Sequence, residues 1–258
     1  MRTVNVPSPK PDFCAISLGD WLELVDGLLP HIPAHRLGNV PLSELWGAMD
    51  GRDDCPHLDA VFEQISAIRR NAVYPGEMVR WDCCSSVLLK AQMDYGERRW
   101  DPDSCLALPL DDARFLDILV DYGRKSGRDS LPVWHRPWVA ILHDNGYPVE
   151  FRVFVESGRL QGVSSYYPQR PLRERYTPWA IEAGRLALQF AQVGSFSMDF
   201  ALQRFPSPQY KMGDPKAPTM RLTFIEGGPS HAGGAHHCCF QPGEIHGVAL
   251  ANRNEVVS

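Results

Sequence analysis

Proline constrains this chain more than any other residue type. It fills 22 of the 258 positions, roughly 8.5% against a usual ~5%. Each proline removes an amide donor and restricts the residue before it. Proline at this density, without a repeat, therefore argues against helical bundles, solenoids and coiled coils. The expected product is a mixed α+β protein with many loops. The rest of the composition is ordinary for a folded chain, at 44% hydrophobic and 22% charged. The length allows one or two domains with a sizeable core.

Charge and cysteine usage narrow the classes further. The net charge of −5 comes from interspersed acids and bases, so the chain lacks the basic stripe of a duplex DNA binder. No stretch approaches ~18 consecutive apolar residues, and no membrane partner is expected. The opening MRTVNVPSPKPDF is polar and has no apolar signal core. Seven cysteines, an odd number, read as reduced thiols in a cytoplasmic protein.

Residues 1–13 read as a loose arm. Trp21, Leu22, Leu24, Val25, Leu28 and Leu29 recur at helical spacing behind Asp20, the expected N-cap, and Pro30 and Pro33 end that helix. A short turn of helix is expected from Pro41 to Trp46, and an amphipathic helix from Pro56 to Arg70. Met78–Trp81 reads as a strand. Asp111 to Lys125 reads as a helix capped by Asp111 and stopped by Gly127. Beyond it the hydrophobic period changes to two. Trp138–Leu142 reads as a short strand, and EFRVFV with RLQGVS as a hairpin around Glu156-Ser157-Gly158. A helix over Thr177–Gln192 is expected to bury Ile181, Leu186, Leu188 and Phe190. SFSMDFAL and RLTFIE, the latter ending at Glu226, pair as antiparallel strands across a loop from Gln203 to Met220. The first half is thus expected to be mainly helical with one strand near residue 80, and the second half to carry the sheet.

Three charged residues stand out against this frame. Period-two alternation puts Phe151, Val153 and Val155 on one face of their strand and Glu150, Arg152 and Phe154 on the other. Arg152 in so apolar a strand is costly to bury unless paired. It is either half of a structural ion pair or a planar fork holding an anion in a cleft. Asp199 poses the same question within SFSMDFAL. Glu226 precedes Gly227-Gly228-Pro229, where backbone can approach a ligand closely. Two carboxylates on neighbouring strands make an oxygen-rich site suited to Mg²⁺. Acids for magnesium and bases for phosphate are what handling a triphosphate requires.

Other motifs remain open. His231, His236, His237, Cys238 and Cys239 offer zinc ligands, but their spacing fits no usual finger pattern and reads foremost as a glycine-rich surface segment. Cys83 or Cys84 could serve as a nucleophile with a distant histidine. Ser85 and Ser86 beside them suit phosphate contacts instead. Tyr166-Tyr167 could stack on a base or sugar, or pack on the hairpin edge.

The order RPWV (Arg136–Val139), EFRVFV, GRLQGVSSYY, a helix, SFSMDF and RLTFIEGGP resembles the C-terminal half of ATP-grasp proteins, over about residues 78–230. It looks most like a small divergent branch. That branch includes the eukaryotic chaperone assembling translation initiation factor 2, and ligase-like phage and bacterial proteins. The resemblance implies an α+β, ATP-grasp-like fold in which two α+β subdomains clasp a nucleotide, with an antiparallel sheet in the C-terminal half. It divides the chain into a mainly helical region 1–72, a first nucleotide-contacting subdomain 73–135, an ATP-grasp-like subdomain 136–240 and a tail 241–258. It implies ATP and Mg²⁺ as cofactors. Arg152 would face the phosphates, Asp199 and Glu226 would bind the metal, Arg80 or Lys90 would stand on the phosphates, and Arg136 and Trp138 would line the adenine pocket. The family commonly has Asn two residues after the second acid, where this chain has Gly228. The activity implied is carboxylate–amine ligation through an acylphosphate. The alternatives are a non-catalytic ATP-binding assembly factor with a protein partner, or an RNA end-joining ligase. The substrate, whether small molecule, peptide or RNA, stays open, and a zinc protein of unrelated function is the reading from outside the family.

Overall fold

The computed structural model describes residues 7–71, 77–85, 113–137, 139–166, 173–205 and 219–230, with short strand pieces at 240–241, 244–245 and 247–248. The chain forms two compact units of mixed helix and antiparallel sheet. One comprises Pro11–Asp20 and Ile32–Val139, the other Met1–Lys10, Trp21–His31 and Ala140–Ser258. Among the described residues no helix is long and apolar enough to cross a membrane.

Helix α1 (Leu18–Val25) is capped by Ser17 rather than by Asp20. The Ser17 hydroxyl accepts the Asp20 amide at 3.2 Å, which satisfies one orphan donor of the first turn. Asp20, already inside the helix, accepts the Cys14 amide at 2.7 Å and binds Arg128 through both oxygens at 2.8 and 2.9 Å. The helix ends earlier than its apolar pattern, at a turn through Gly27.

The Pro11–Asp20/Ile32–Val139 unit holds four strands where the sequence suggested one. These are β1 (His35–Pro41), β2 (Glu77–Trp81), β3 (Cys84–Ser85) and β4 (Ser130–Pro137), in the order β1-β4-β2-β3 and antiparallel throughout. Strand β1 hides behind Gly38, Asn39 and a bulge, and β4 behind two prolines. Pro132 is tolerated in a central strand for a specific reason. Its carbonyl accepts the Asp82 amide at 2.9 Å, and the amide it lacks would have faced the Asp82 carbonyl. The Leu18 amide at the start of α1 donates to that carbonyl instead, at 2.9 Å.

Helices α2 (Leu42–Met49), α3 (Pro56–Asn71) and α4 (Ala113–Ser126) complete this unit. Their apolar faces share one core with Val79, Trp81, Leu131 and Val133 of the sheet. The Glu44 carboxylate of α2 accepts the His57 and Leu58 amides at 3.0 and 3.1 Å, so one helix caps the next. Burial works most strongly against the Glu44 charge, but the hydrogen bonds from His57 and Leu58 and the attraction of the His57 ring together outweigh it and hold the carboxyl below the ordinary glutamate range. Helix α4 stops before Gly127 at φ +65°, as its sequence suggests.

In the other unit, β5 (His143–Asp144) and β6 (Tyr147–Pro148) form a small hairpin. The strands β7 (Glu150–Glu156), β8 (Arg159–Ser165), β9 (Phe196–Phe205) and β10 (Thr219–Pro229) follow. Short pieces β11 (Phe240–Gln241), β12 (Glu244–Ile245) and β13 (Gly247–Val248) end the described chain. The main sheet is antiparallel in the order β10-β9-β7-β8-β13. The expected hairpin forms around Ser157 and Gly158, both at positive φ.

Three expectations need correction. Strand β4 ends at Pro137, Trp138 lies outside the described residues, and 139–142 is no strand, although the Leu142 amide is fastened to the Leu202 carbonyl at 2.7 Å. Strand β10 runs past Glu226 to Pro229. Helix α5 (Thr177–Leu188) is shorter than expected and buries Ala180, Ala183, Gly184 and Ala187, with Ile181, Leu186 and Leu188 only half-buried. Small residues let this helix approach the hairpin: a Cβ at position 184 would stand 3.0 Å from Leu160. Phe190 is buried as expected.

One face of the five-stranded sheet is mainly apolar, with Phe151, Val153, Phe196, Met198 and Phe224 inaccessible to water. Trp21 lies on it, 5.3 Å from Phe196 and 6.3 Å from Phe224 between ring centroids. The indole sits over Gly227, where any side chain would collide with it.

Candidate functional site

The opposite face of the same sheet is polar, and its pairing register explains why. Arg152 is opposite Ser164 on one side and Asp199 on the other, and Asp199 is opposite Glu226. Directly opposed residues point to one face, so Ser164, Arg152, Asp199 and Glu226 form a row across β8, β7, β9 and β10. The row depends on a bulge. Phe224 is opposite Phe200, and an unbroken ladder would set Ile225 against Asp199; the register shift between Phe224 and Glu226 puts the carboxylate there instead. Flanking pairs continue the polar face, with Glu150 opposite Ala201 and Ala201 opposite Thr223.

Arg152 grips Asp199 with a two-pronged contact. Its Nε donates to Oδ1 at 2.7 Å and its Nη2 to Oδ2 at 2.5 Å, with both residues buried. The same Nη2 lies 3.9 Å from Glu226 Oε1. The guanidinium carbon stands 4.6 Å from the Tyr166 ring centroid, a cation–π contact. One cation thus meets two acids. Bidentate, charge-assisted pairs are the stronger hydrogen bonds, and removing one partner of a buried pair leaves a costly bare charge.

The donor chemistry fits a hard divalent cation. Asp199 and Glu226 offer carboxylate oxygens from adjacent strands, and among the described residues no group of three or more His, Cys, Asp or Glu could hold a metal. Two carboxylates are few for an all-protein cage but suit Mg²⁺, which keeps waters and phosphate oxygens in its shell. Nearby, Thr223 Oγ1 donates to Gln203 Oε1 at 2.5 Å, and Gln203 Nε2 to the Ala140 carbonyl at 3.2 Å. Gln203 and Thr223 were missed in the sequence, and Glu150 was noted there only as sharing the face of Arg152. Counting two residues along the strand from Arg152 or Asp199 reaches Glu150, Ala201 and Gln203.

The remaining candidates divide. Arg80 on β2 and Arg136 on β4 belong to the four-stranded sheet and not to the row. Arg80 is opposite Trp134, and Met78 is opposite Arg136, so both arginines share the face away from Val79, Trp81, Leu131 and Val133. Both are buried, and Arg136 Nη2 donates to the Ile32 carbonyl at 2.9 Å. Asp82 beside them is fully buried, its Oδ1 accepting the Gly19 amide at 2.8 Å and the Trp134 indole at 2.7 Å. Lys90, Trp138, Ser86, Tyr167 and the segment His231–Cys239 lie outside the described residues. Cys83 and Cys84 are buried, and burial pushes the Cys83 thiol well up, the opposite of what a thiolate nucleophile needs.

No protein-family model matches the chain, and no curated protein matches it. Among solved structures it is similar to Cdc123 from Schizosaccharomyces pombe, with a TM-score of 0.48 and 13% identity over 83% of this chain and 84% of that one. It is also similar to a C-terminally truncated Cdc123 from Schizosaccharomyces pombe, with a TM-score of 0.47 and 16% identity over 83% of each chain. Likenesses at this level decide nothing about the chain's activity.

Proposed function

We propose that this chain has an ATP-grasp-like fold, binds ATP together with Mg²⁺ on the polar face of its five-stranded sheet, and acts as a protein assembly factor rather than a ligase. The observation that carries the nucleotide reading is the in-register row of Arg152, Asp199 and Glu226. In this reading Arg152 takes the phosphates, with its planar fork suited to paired oxygens. Asp199 and Glu226 hold the magnesium. When bound, the metal neutralises phosphate charge. Arg80 or Lys90 on the phosphates, and Arg136 and Trp138 around the adenine, complete the assignment as the sequence resemblance implies.

The choice between binding and ligation follows from what the row supplies. Its three side chains are engaged with one another, an arrangement that serves charge neutralisation. Acylphosphate chemistry needs an acceptor carboxylate and an amine held in line as well, whereas binding a nucleotide needs charge neutralisation alone. The sequence resemblance to the chaperone branch points the same way. The test is to titrate ATP with and without Mg²⁺, then follow ADP release across paired carboxylate and amine substrates. Saturable, Mg²⁺-dependent binding without ADP supports an assembly factor. ADP together with a joined product would establish a ligase, and label passing from the ATP α-phosphate to RNA would establish an end-joining enzyme.

A further inference from the structure

The Asp199–Glu226 pair raises a question that its assignment to magnesium leaves open. Two carboxylates directly opposite on adjacent strands repel one another, and such pairs destabilise a sheet unless a cation stands with them. In this chain that cation is Arg152, whose Nη2 lies 2.5 Å from Asp199 Oδ2 and 3.9 Å from Glu226 Oε1. Both Asp199 oxygens are engaged by the guanidinium, through Nε and Nη2.

We infer that Arg152 is a resident counter-cation, which keeps a free divalent ion off Asp199 and Glu226 until the phosphates of a nucleotide draw the guanidinium away. This rests on the reading of the row as a magnesium–nucleotide site. A metal ion and a guanidinium would compete for the same buried carboxylate oxygens, and they repel one another at close range in a poorly screened site. A free ion therefore has to displace a bidentate pair and leave an arginine buried without its acids. Phosphate removes that obstacle, because it offers the fork an equivalent set of paired oxygens. The Tyr166 ring adds a cation–π contact to the guanidinium. Arg152 is then a specificity-determining residue that selects the metal–nucleotide complex over the free metal. By linkage, nucleotide raises metal affinity and metal raises nucleotide affinity by the same factor.

Deleting this cation should therefore create a metal site. Mn²⁺ is titrated calorimetrically into the full chain without nucleotide, using the wild type, Arg152→Met and Arg152→Lys. Arg152→Met is expected to bind Mn²⁺ at least about tenfold more tightly than the wild type, while Arg152→Lys, which keeps the charge, stays close to the wild type. Should Arg152→Met fold poorly, the wild type alone still decides, by Mn²⁺ titration with and without ATP. If the wild type binds ATP, yet takes up Mn²⁺ equally well with and without it, the counter-cation role is overturned and the nucleotide site stands. If the wild type binds no ATP while Arg152→Met gains Mn²⁺, the counter-cation role stands and the nucleotide reading falls.

Discussion

The two antiparallel sheets both bury arginine, and the contacts that hold it differ. Each has one apolar face sharing a core with helical residues and a second face that carries arginine. In the five-stranded sheet Arg152 meets its acids in register, at 2.7 and 2.5 Å to Asp199, so one cation stands against two carboxylates. In the four-stranded sheet Arg80 and Arg136 share one face, and Arg136 is tied to a backbone carbonyl of Ile32. The neighbouring acid, Asp82, gives one of its oxygens to an amide and an indole. The printed contacts show a buried arginine held in two ways, by a bidentate carboxylate at Arg152 and by a backbone carbonyl at Arg136.

The contrast breaks most visibly through stability. Asp199→Ala leaves Arg152 buried without its bidentate partner and should cost about 3–5 kcal/mol in urea unfolding; a loss below about 1 kcal/mol would mean the pair is not the mainstay of its face. Arg136→Met keeps volume and removes the donor to the Ile32 carbonyl, and a loss of about 1–3 kcal/mol is expected. Equal losses for the two variants would erase the distinction between the sheets.

Gly227→Ala probes the five-stranded sheet from its other face. The new methyl group collides with the Trp21 indole, and about 1–3 kcal/mol of overpacking strain should appear without disturbing the charged row. If ATP binding vanished as well, the two faces would not be independent.

Much of the five-stranded sheet is legible in the sequence because its chemistry is local. A two-residue turn starts the β7–β8 ladder, which shifts by one residue between Phe154 and Val155, and Arg152 and Asp199 stand out as isolated charges within apolar alternation. The meeting of Asp199 with Glu226 was less legible, since it depends on one extra residue, Ile225, whose bulge leaves no pattern. The four-stranded sheet was mostly hidden. Strand β4 carries a proline whose missing amide is replaced from α1, far away in sequence. Helix α5 misled in another way, because its large apolar residues suggested a buried face that its alanines and glycine in fact occupy. Density of proline signals many breaks, but not that a strand runs through Pro132.

The smallest effect concerns the helical side of the four-stranded unit. Glu44→Gln weakens the cap of α3 and should cost about 1 kcal/mol at neutral pH. Because folding holds the Glu44 carboxyl below its ordinary range, its contribution is fully present above that range and is lost as pH falls through the depressed value. The gap between wild type and variant should therefore close in acid. A gap that stays constant down to low pH would show that Glu44 acts by shape and not by charge.

The central claim is that Arg152, Asp199 and Glu226 together bind ATP with magnesium. Calorimetric titration of ATP into the wild type and Asp199→Asn, each with and without Mg²⁺, tests it most directly. The claim predicts saturable binding to the wild type that tightens when Mg²⁺ is added, and binding to Asp199→Asn that Mg²⁺ no longer improves. A wild type that fails to bind ATP at millimolar concentration, or an Asp199→Asn variant with unchanged Mg²⁺ dependence, would contradict it.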